Sequence, residues 1–86
     1  MNYRVDLRPK PQRVIRSLRD VALAARLIAA LRTLAVLPRP PGCRKLRGED
    51  NLWRIRVGDY RIVYEIHDQI LVVLVFAISH RREAYR

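Results

Sequence analysis

A chain of 86 residues, 50% of them hydrophobic, suits one small domain with one core, burying roughly 60–65% of the surface its unfolded form exposes, and is too apolar for a disordered tail. Its 18 basic and 8 acidic residues give a net charge of +10, and 16 of the 18 are arginine; a solvated face needs no such bias, whereas phosphate favours the planar guanidinium fork. The single cysteine, Cys43, excludes an internal disulfide and a cysteine-based zinc site, and the longest apolar run, residues 70–78, is about half a membrane span.

Residues 1–8 alternate charged and apolar side chains, which is not the pattern of a signal peptide. The expectation is one soluble cytoplasmic domain over residues 1–86, binding a polyanion, with no membrane, metal or cofactor. Residues 1–8 read as a strand, with Tyr3, Val5 and Leu7 on one side and Arg4, Asp6 and Arg8 on the other. Pro9 and Pro11 end it, and Pro11 suits the first turn of a helix over residues 11–18. Asp20 is placed to cap a second helix over residues 21–36, which Pro38 stops. Leu23, Leu27, Leu31 and Leu34, with Val21 and Ile28, form its buried side; Arg19, Arg26, Arg32 and Thr33 mark the wet stripe.

Residues 39–42, Arg-Pro-Pro-Gly, form a stiff connector. Beyond it the period changes from helix to strand. Residues 52–57 alternate, residues 60–67 alternate around Ile62, Tyr64 and Ile66, and Gly58-Asp59 between them suits a two-residue hairpin turn with glycine first. After Asp68-Gln69, residues 70–79 are apolar at nearly every position, which places that strand inside the sheet. The predicted fold is α+β in the order β-α-α-β-β-β, an antiparallel sheet with two helices packed on one face.

A two-residue turn at Gly58-Asp59 pairs Val57 with Tyr60, and so Arg56 with Arg61, on the face that also carries Arg54. Like charges directly opposed, with Cβ atoms about 5 Å apart, destabilise a sheet by some tenths of a kcal/mol. Folding gives no reason for this pairing; a phosphate held between the two guanidiniums does, and two side chains splaying into solvent is the alternative. If Asp68-Gln69 is also a two-residue turn, Arg61 faces Phe76 and the same face runs through Ile78 to His80. A one-residue bulge brings Arg81 there instead. Either way His80, Arg81 and Arg82 converge near the sheet edge, with Tyr85 four residues after Arg81. Histidine shuttles protons near neutral pH, arginines hold the charge of a pentavalent phosphate, and tyrosine stacks on a base or holds a backbone oxygen.

Four stretches, Lys45-Leu46-Arg47-Gly48, Trp53-Arg54-Ile55-Arg56, Gly58-Asp59-Tyr60-Arg61-Ile62-Val63-Tyr64 and His80-Arg81-Arg82-Glu83-Ala84-Tyr85, resemble the RelE branch of the RelE/ParE toxin superfamily. The likeness covers nearly the whole chain; the first and third stretches at this separation are fairly specific together and weak apart. The resemblance implies the toxin of a type II toxin–antitoxin pair. It implies a ribosome-dependent endoribonuclease (an mRNA interferase) that cleaves mRNA in the A site through attack of a ribose 2′-hydroxyl on the adjacent phosphate. The partners it implies are the ribosome, mRNA and an acidic RelB-like antitoxin that wraps and blocks the toxin. By the same resemblance the basic pair of the second strand falls on Arg54 and Arg56, and the phosphate-holding arginine on Arg61. The leaving-group arginine falls on Arg81 and the base-stacking or orienting tyrosine on Tyr85, with Lys45, Arg47 and Arg82 as flanking RNA contacts.

The sequence departs from that pattern twice. The best-studied members carry lysine at the positions of Arg54 and Arg56, and an arginine, with a pKa above about 12, is a poor base. Proton abstraction then passes to His80, or the arginines only stabilise charge while the reaction runs slowly. Many relatives also continue past the tyrosine into a final helix, so Tyr85 is expected to be held more loosely, or by the ribosome or antitoxin.

Two other readings stand beside this one. A ParE-like protein inhibits DNA gyrase without cutting RNA, although ParE-like chains generally lack the arginine set around Arg56, Arg61 and Arg81. A toxin fold that has lost catalysis serves as an antitoxin-binding corepressor. Of the remaining residues, His67 reads as an exposed turn-flanking side chain, and Trp53, Tyr60 and Tyr64 as core. Cys43 fills space with no metal-ligand spacing around it, and Glu65 is a strand carboxylate on the face of Arg61.

Overall fold

The computed structural model describes residues 2–81. The elements are β1 (Arg4–Leu7), α1 (Pro9–Ser17), α2 (Val21–Val36), β2 (Arg44–Lys45), β3 (Trp53–Val57), β4 (Tyr60–His67) and β5 (Val72–His80). They form a five-stranded sheet in the order β1-β5-β4-β3-β2 with both helices on one face. The sheet is mixed: β1 runs parallel to β5, and every other pairing is antiparallel. The expected all-antiparallel sheet is corrected at β1, and the two-residue β2 is an addition. The two helices carry the chain from β1 to the far edge of the sheet at β2, and β5, reached through β3 and β4, lies parallel beside β1.

α1 starts at Pro9, two residues earlier than expected. Both prolines fit, because first-turn N–H groups have no intrahelical partner and a fixed φ favours helix entry. Asp20 caps α2 by accepting a hydrogen bond from the Leu23 N–H at 3.0 Å. The 3.6-residue period then aims Leu27, Leu31 and Leu34 into the core against Ile62, Tyr64 and Val75. Ile28 is 38% exposed and Val21, in the first turn, 81% exposed, so neither belongs to the buried side. Ile28 follows Leu27 by one residue, a rotation of about 100° about the helix axis, and cannot share its direction.

Tyr64 is fully buried and donates a hydrogen bond from its hydroxyl to the Pro38 carbonyl at 2.8 Å, tying the end of α2 to mid-sheet. A second tie lies at the Asp68 end of β4, where the carboxylate accepts from the Tyr3 hydroxyl at 2.6 Å and pairs with Arg39 at 3.0 Å. Arg39 also lies over the Trp53 ring, 5.0 Å from its centroid. Among the described residues no helix is long and apolar enough to cross a membrane.

Candidate cationic cleft and groove

The β3–β4 hairpin turns on Gly58-Asp59, with Gly58 at φ +59°. Only the first central residue has a positive φ, the pattern that matches strand twist and favours glycine there. The predicted register follows: Val57 faces Tyr60, Arg56 faces Arg61 and Ile55 faces Ile62. Ile55 and Ile62 are buried under the helices, so Arg54, Arg56 and Arg61 stand on the opposite face.

β4 and β5 do not join through a two-residue turn. Residues 68–71 form a four-residue loop closed by Leu71 in the left-handed region at φ +55°, and the register slips again between Val63 and Tyr64. The longer loop preserves the face of each β5 side chain, because it moves the register by two. The bulge at Phe76 moves it by one and reverses every face beyond it. Arg61 therefore faces Ser79 rather than Phe76, and Ile78 enters the core opposite Ile62 at 4% exposure. His80 faces Tyr60 on the helix-covered side, its ring edge-on to the tyrosine with centroids 5.3 Å apart.

Arg81 then reaches the arginine side. Its backbone N–H donates to the Asp59 carbonyl at 2.7 Å, holding the end of β5 against the hairpin turn. Arg56, Arg61 and Arg81 line one cleft of about 40 Å³ with Asp59, Tyr60 and Gly58. Of the two outcomes left open by the sequence, the structure selects Arg81 and excludes His80. His80 instead borders a separate pocket of about 380 Å³ with Asp20, Arg26 and Tyr60, on the far side of the hairpin turn.

The remaining expected site residues divide between the two faces. Arg54, half-buried, joins Arg56 in a broader groove of about 510 Å³ that runs toward Pro41 and Gly42. Lys45 pairs with Trp53 and lies 5.9 Å from that ring's centroid, away from the arginines. Arg47 is exposed in the β2–β3 connection. Arg82 and Tyr85 lie outside the described residues. Glu65 pairs with His67, Oε1 to Nε2 at 2.8 Å, rather than with an arginine or with His80.

Sequence reasoning missed two residues. Arg44 faces Arg54 across β2 and β3 and lines the groove; a two-residue strand is too short to show alternation. Asp59, read only as a turn residue, lines the cleft; its place beside Arg61 is visible once the hairpin is drawn.

A charge coupling lies at the opposite end of β4. Arg39 and then Tyr3 hold the Asp68 carboxyl below the usual carboxylate range, and Asp68 in turn raises the Tyr3 phenol. Burial pushes the Tyr64 phenol up. Among the described residues no group of three histidine, cysteine or acidic side chains is arranged to hold a metal.

Compared with known proteins, residues 5–85 match the family described as the ParE toxin of the type II toxin–antitoxin system parDE. The chain belongs to this toxin superfamily. Its relatives place it on the RelE side. It is 25% identical over 91 residues to a putative toxin RelE1 of Methanocaldococcus jannaschii, covering 100% of this chain and 98% of the relative. The RelE–RelB complex of Pyrococcus horikoshii contains a chain that superposes with a TM-score of 0.81 at 28% identity, covering 94% of this chain and 97% of that one. The RelBE2 toxin–antitoxin complex of Mycobacterium tuberculosis gives 0.76 at 28% identity, covering 94% and 100%. The protein is thus a RelE-type toxin of a type II system, with the α+β fold expected of one.

Proposed function

We propose that this toxin is a ribosome-dependent endoribonuclease that cuts mRNA in the A site and so inhibits translation. The observation that supports this most is the meeting of Arg56, Arg61 and Arg81 at one cleft despite the mutual repulsion of like charges. A 2′-oxygen attacks the adjacent phosphorus, a pentavalent phosphorane forms, and the bond to the 5′-oxygen breaks to leave a 2′,3′-cyclic phosphate. Arg56 and Arg61 hold the equatorial charge, and Arg81 hydrogen-bonds the departing oxygen, which takes its proton from water.

The proton of the 2′-hydroxyl needs an acceptor. Arginine is always protonated at neutral pH, and His80 is on the other face. Among the described lining groups Asp59 is the side chain able to take that proton. A cytoplasmic, acidic RelB-like antitoxin would cover the same cleft and neutralise it, leaving free toxin to find the anionic ribosome by electrostatic steering.

Induction of the wild type and Arg61→Ala proteins, followed by primer extension on cellular mRNA, tests the reading. Codon-phased cuts with wild type and none with Arg61→Ala are expected, with growth arrest following the cuts. Growth arrest with intact mRNA and reduced gyrase supercoiling would favour the ParE-like alternative. No effect on either would leave a corepressor.

A further inference from the structure

We infer that β1 pairs antiparallel with β1 of a second copy of this chain, joining two sheets edge to edge about a two-fold axis centred on Val5. β1 is an outer strand of the sheet. The Arg4 and Arg8 N–H groups donate inward to the Leu71 and Val75 carbonyls at 2.8 and 3.1 Å. Strand alternation then turns the Tyr3, Val5 and Leu7 backbone groups outward. Two of these are engaged within the chain: the Tyr3 N–H donates to the Ala35 carbonyl at 2.6 Å, and the Leu7 carbonyl accepts from Gln12 Nε2 at 2.8 Å. That leaves, among the described residues, the Tyr3 carbonyl, both Val5 groups and the Leu7 N–H facing out.

These groups complement themselves in one register. With Val5 opposite Val5, each Val5 N–H meets the Val5 carbonyl of the other copy, and each Leu7 N–H meets its Tyr3 carbonyl. The further bond such a ladder would make, Tyr3 N–H to Leu7 carbonyl, joins the two groups already engaged inside each chain. Charge selects the same register. Arg4 falls opposite Asp6 of the second copy, and Asp6 opposite its Arg4, at positions where Cα atoms approach to about 4.5 Å. A two-fold centred on Arg4 or Asp6 would set a charge against its own kind. One centred on Leu7 would need the carbonyl that Gln12 holds, and would reach Pro9, which has no N–H.

The side chains agree. Directly opposed residues share a face, so Tyr3, Val5 and Leu7 of the second copy fall on the helix side. There a groove of about 220 Å³ beside β1 is lined by Val5, Leu7, Ile28, Leu31, Arg32 and Ala35, apolar except for Arg32. Arg4 and Asp6 bond each other along the strand at 3.1 Å, so this edge balances its charge in a chain that is otherwise strongly basic. A polyanion finds more cations elsewhere, whereas a second β1 presents the reciprocal order of charges. β3 and β4, which hold Arg56 and Arg61, lie beyond β5 and take no part in the pairing. The +10 on each copy opposes association, but at physiological salt a screening length of about 8 Å confines that repulsion. Contact through one short strand belongs to the weak class of interfaces.

Sedimentation equilibrium of the full chain from about 1 µM to about 1 mM at physiological salt tests the pairing, with amide hydrogen exchange on the same samples. A monomer–dimer equilibrium is expected. The Val5 and Leu7 amides should gain protection as concentration rises, while those of Arg4 and Arg8, bonded inside the sheet throughout, should not. Asp6→Arg and Arg4→Asp should each weaken dimerisation about tenfold or more. Mixing the two variant proteins should restore it, because each supplies the charges the other needs although neither retains the Arg4–Asp6 contact within its own strand. Val5→Pro, which removes an outward donor and no β1–β5 bond, should leave a folded monomer; should it fail to fold, the charge exchange decides alone. A monomer over the whole range would overturn the inference and leave this edge to another chain, such as an antitoxin segment. A dimer that mixing does not restore, with a Val5 amide that exchanges freely, would overturn it as well and place the contact on another face.

Discussion

Arg56→Gln should make the protein more stable and less active at once. Arg56 stands across from Arg61 and two residues from Arg54 on the same face. With charges about 7 Å apart, each pair repels by about 0.6 kcal/mol in water, and a screening length of about 8 Å at physiological salt leaves about 0.25 kcal/mol. Removing the Arg56 charge relieves both repulsions, about 0.5 kcal/mol together, which in a domain of this size raises Tm by about 2–4 °C. Under the endoribonuclease reading proposed above, the same change deletes a preorganised donor to the pentavalent phosphate, worth about 10²–10³ in rate. Thermal melts of both proteins at low, physiological and 1 M salt, beside cleavage on programmed ribosomes, read the two effects. The stability gain should grow at low salt and vanish at 1 M, where screening acts within about 3 Å. A lower Tm at every salt would show that the fold needs the guanidinium, and undiminished cleavage would remove Arg56 from the chemistry.

Asp59→Asn keeps a side chain suited to the turn but cannot accept a proton; cleavage should fall about 10²–10⁴-fold. Undiminished cleavage would return Asp59 to a turn role. Asp68 is ionised more readily folded than unfolded, so its contribution is present above the ordinary carboxylate pKa and fades as pH falls through the depressed value. Melts of wild type and Asp68→Asn should therefore differ at pH 7 and converge in strong acid; a gap persisting to the lowest pH would mean the tie is not electrostatic. Tyr3 has the opposite sign on the alkaline side, its raised pKa preserving the tie up to the ordinary phenol range and losing it above. Deleting Phe76 should remove the bulge yet keep Ile78 opposite Ile62 and Arg61 opposite Ser79. Loss of activity in a well-folded deletion protein would show that the bulge's bend, beyond its parity, aims Arg81.

What the chain reveals without coordinates is local. α2 matches its predicted limits because Asp20 and Pro38 bracket a leucine period, and β4 because Gly58-Asp59 sets a strong turn before an alternating run. The Arg56–Arg61 pair followed from that turn alone. The parallel pairing of β1 joins residues far apart in sequence and leaves no local mark. The loop over residues 68–71 was hidden because Leu71 adopts a conformation its residue type disfavours. The bulge was hidden because residues 70–78 are apolar on both sides of it, so no alternation reported which face each one took.

That last ambiguity decides the site, and magnitudes show why it resolves as it does. Without the parity change Ile78 would leave the core and His80 would join the arginines. Burying an isoleucine contributes roughly 1.5–3 kcal/mol, whereas crowding a further guanidinium against Arg56 and Arg61 costs only some tenths at a solvated surface. The apolar side of β5 therefore dictates its polar side. Ile78, 4% exposed against fully buried Ile62, carries Arg81 into the cleft and His80 out of it. Hydrophobic burial thus holds together cations that would disperse if free, and a phosphate entering among them meets donors whose mutual repulsion has already been overcome by the fold.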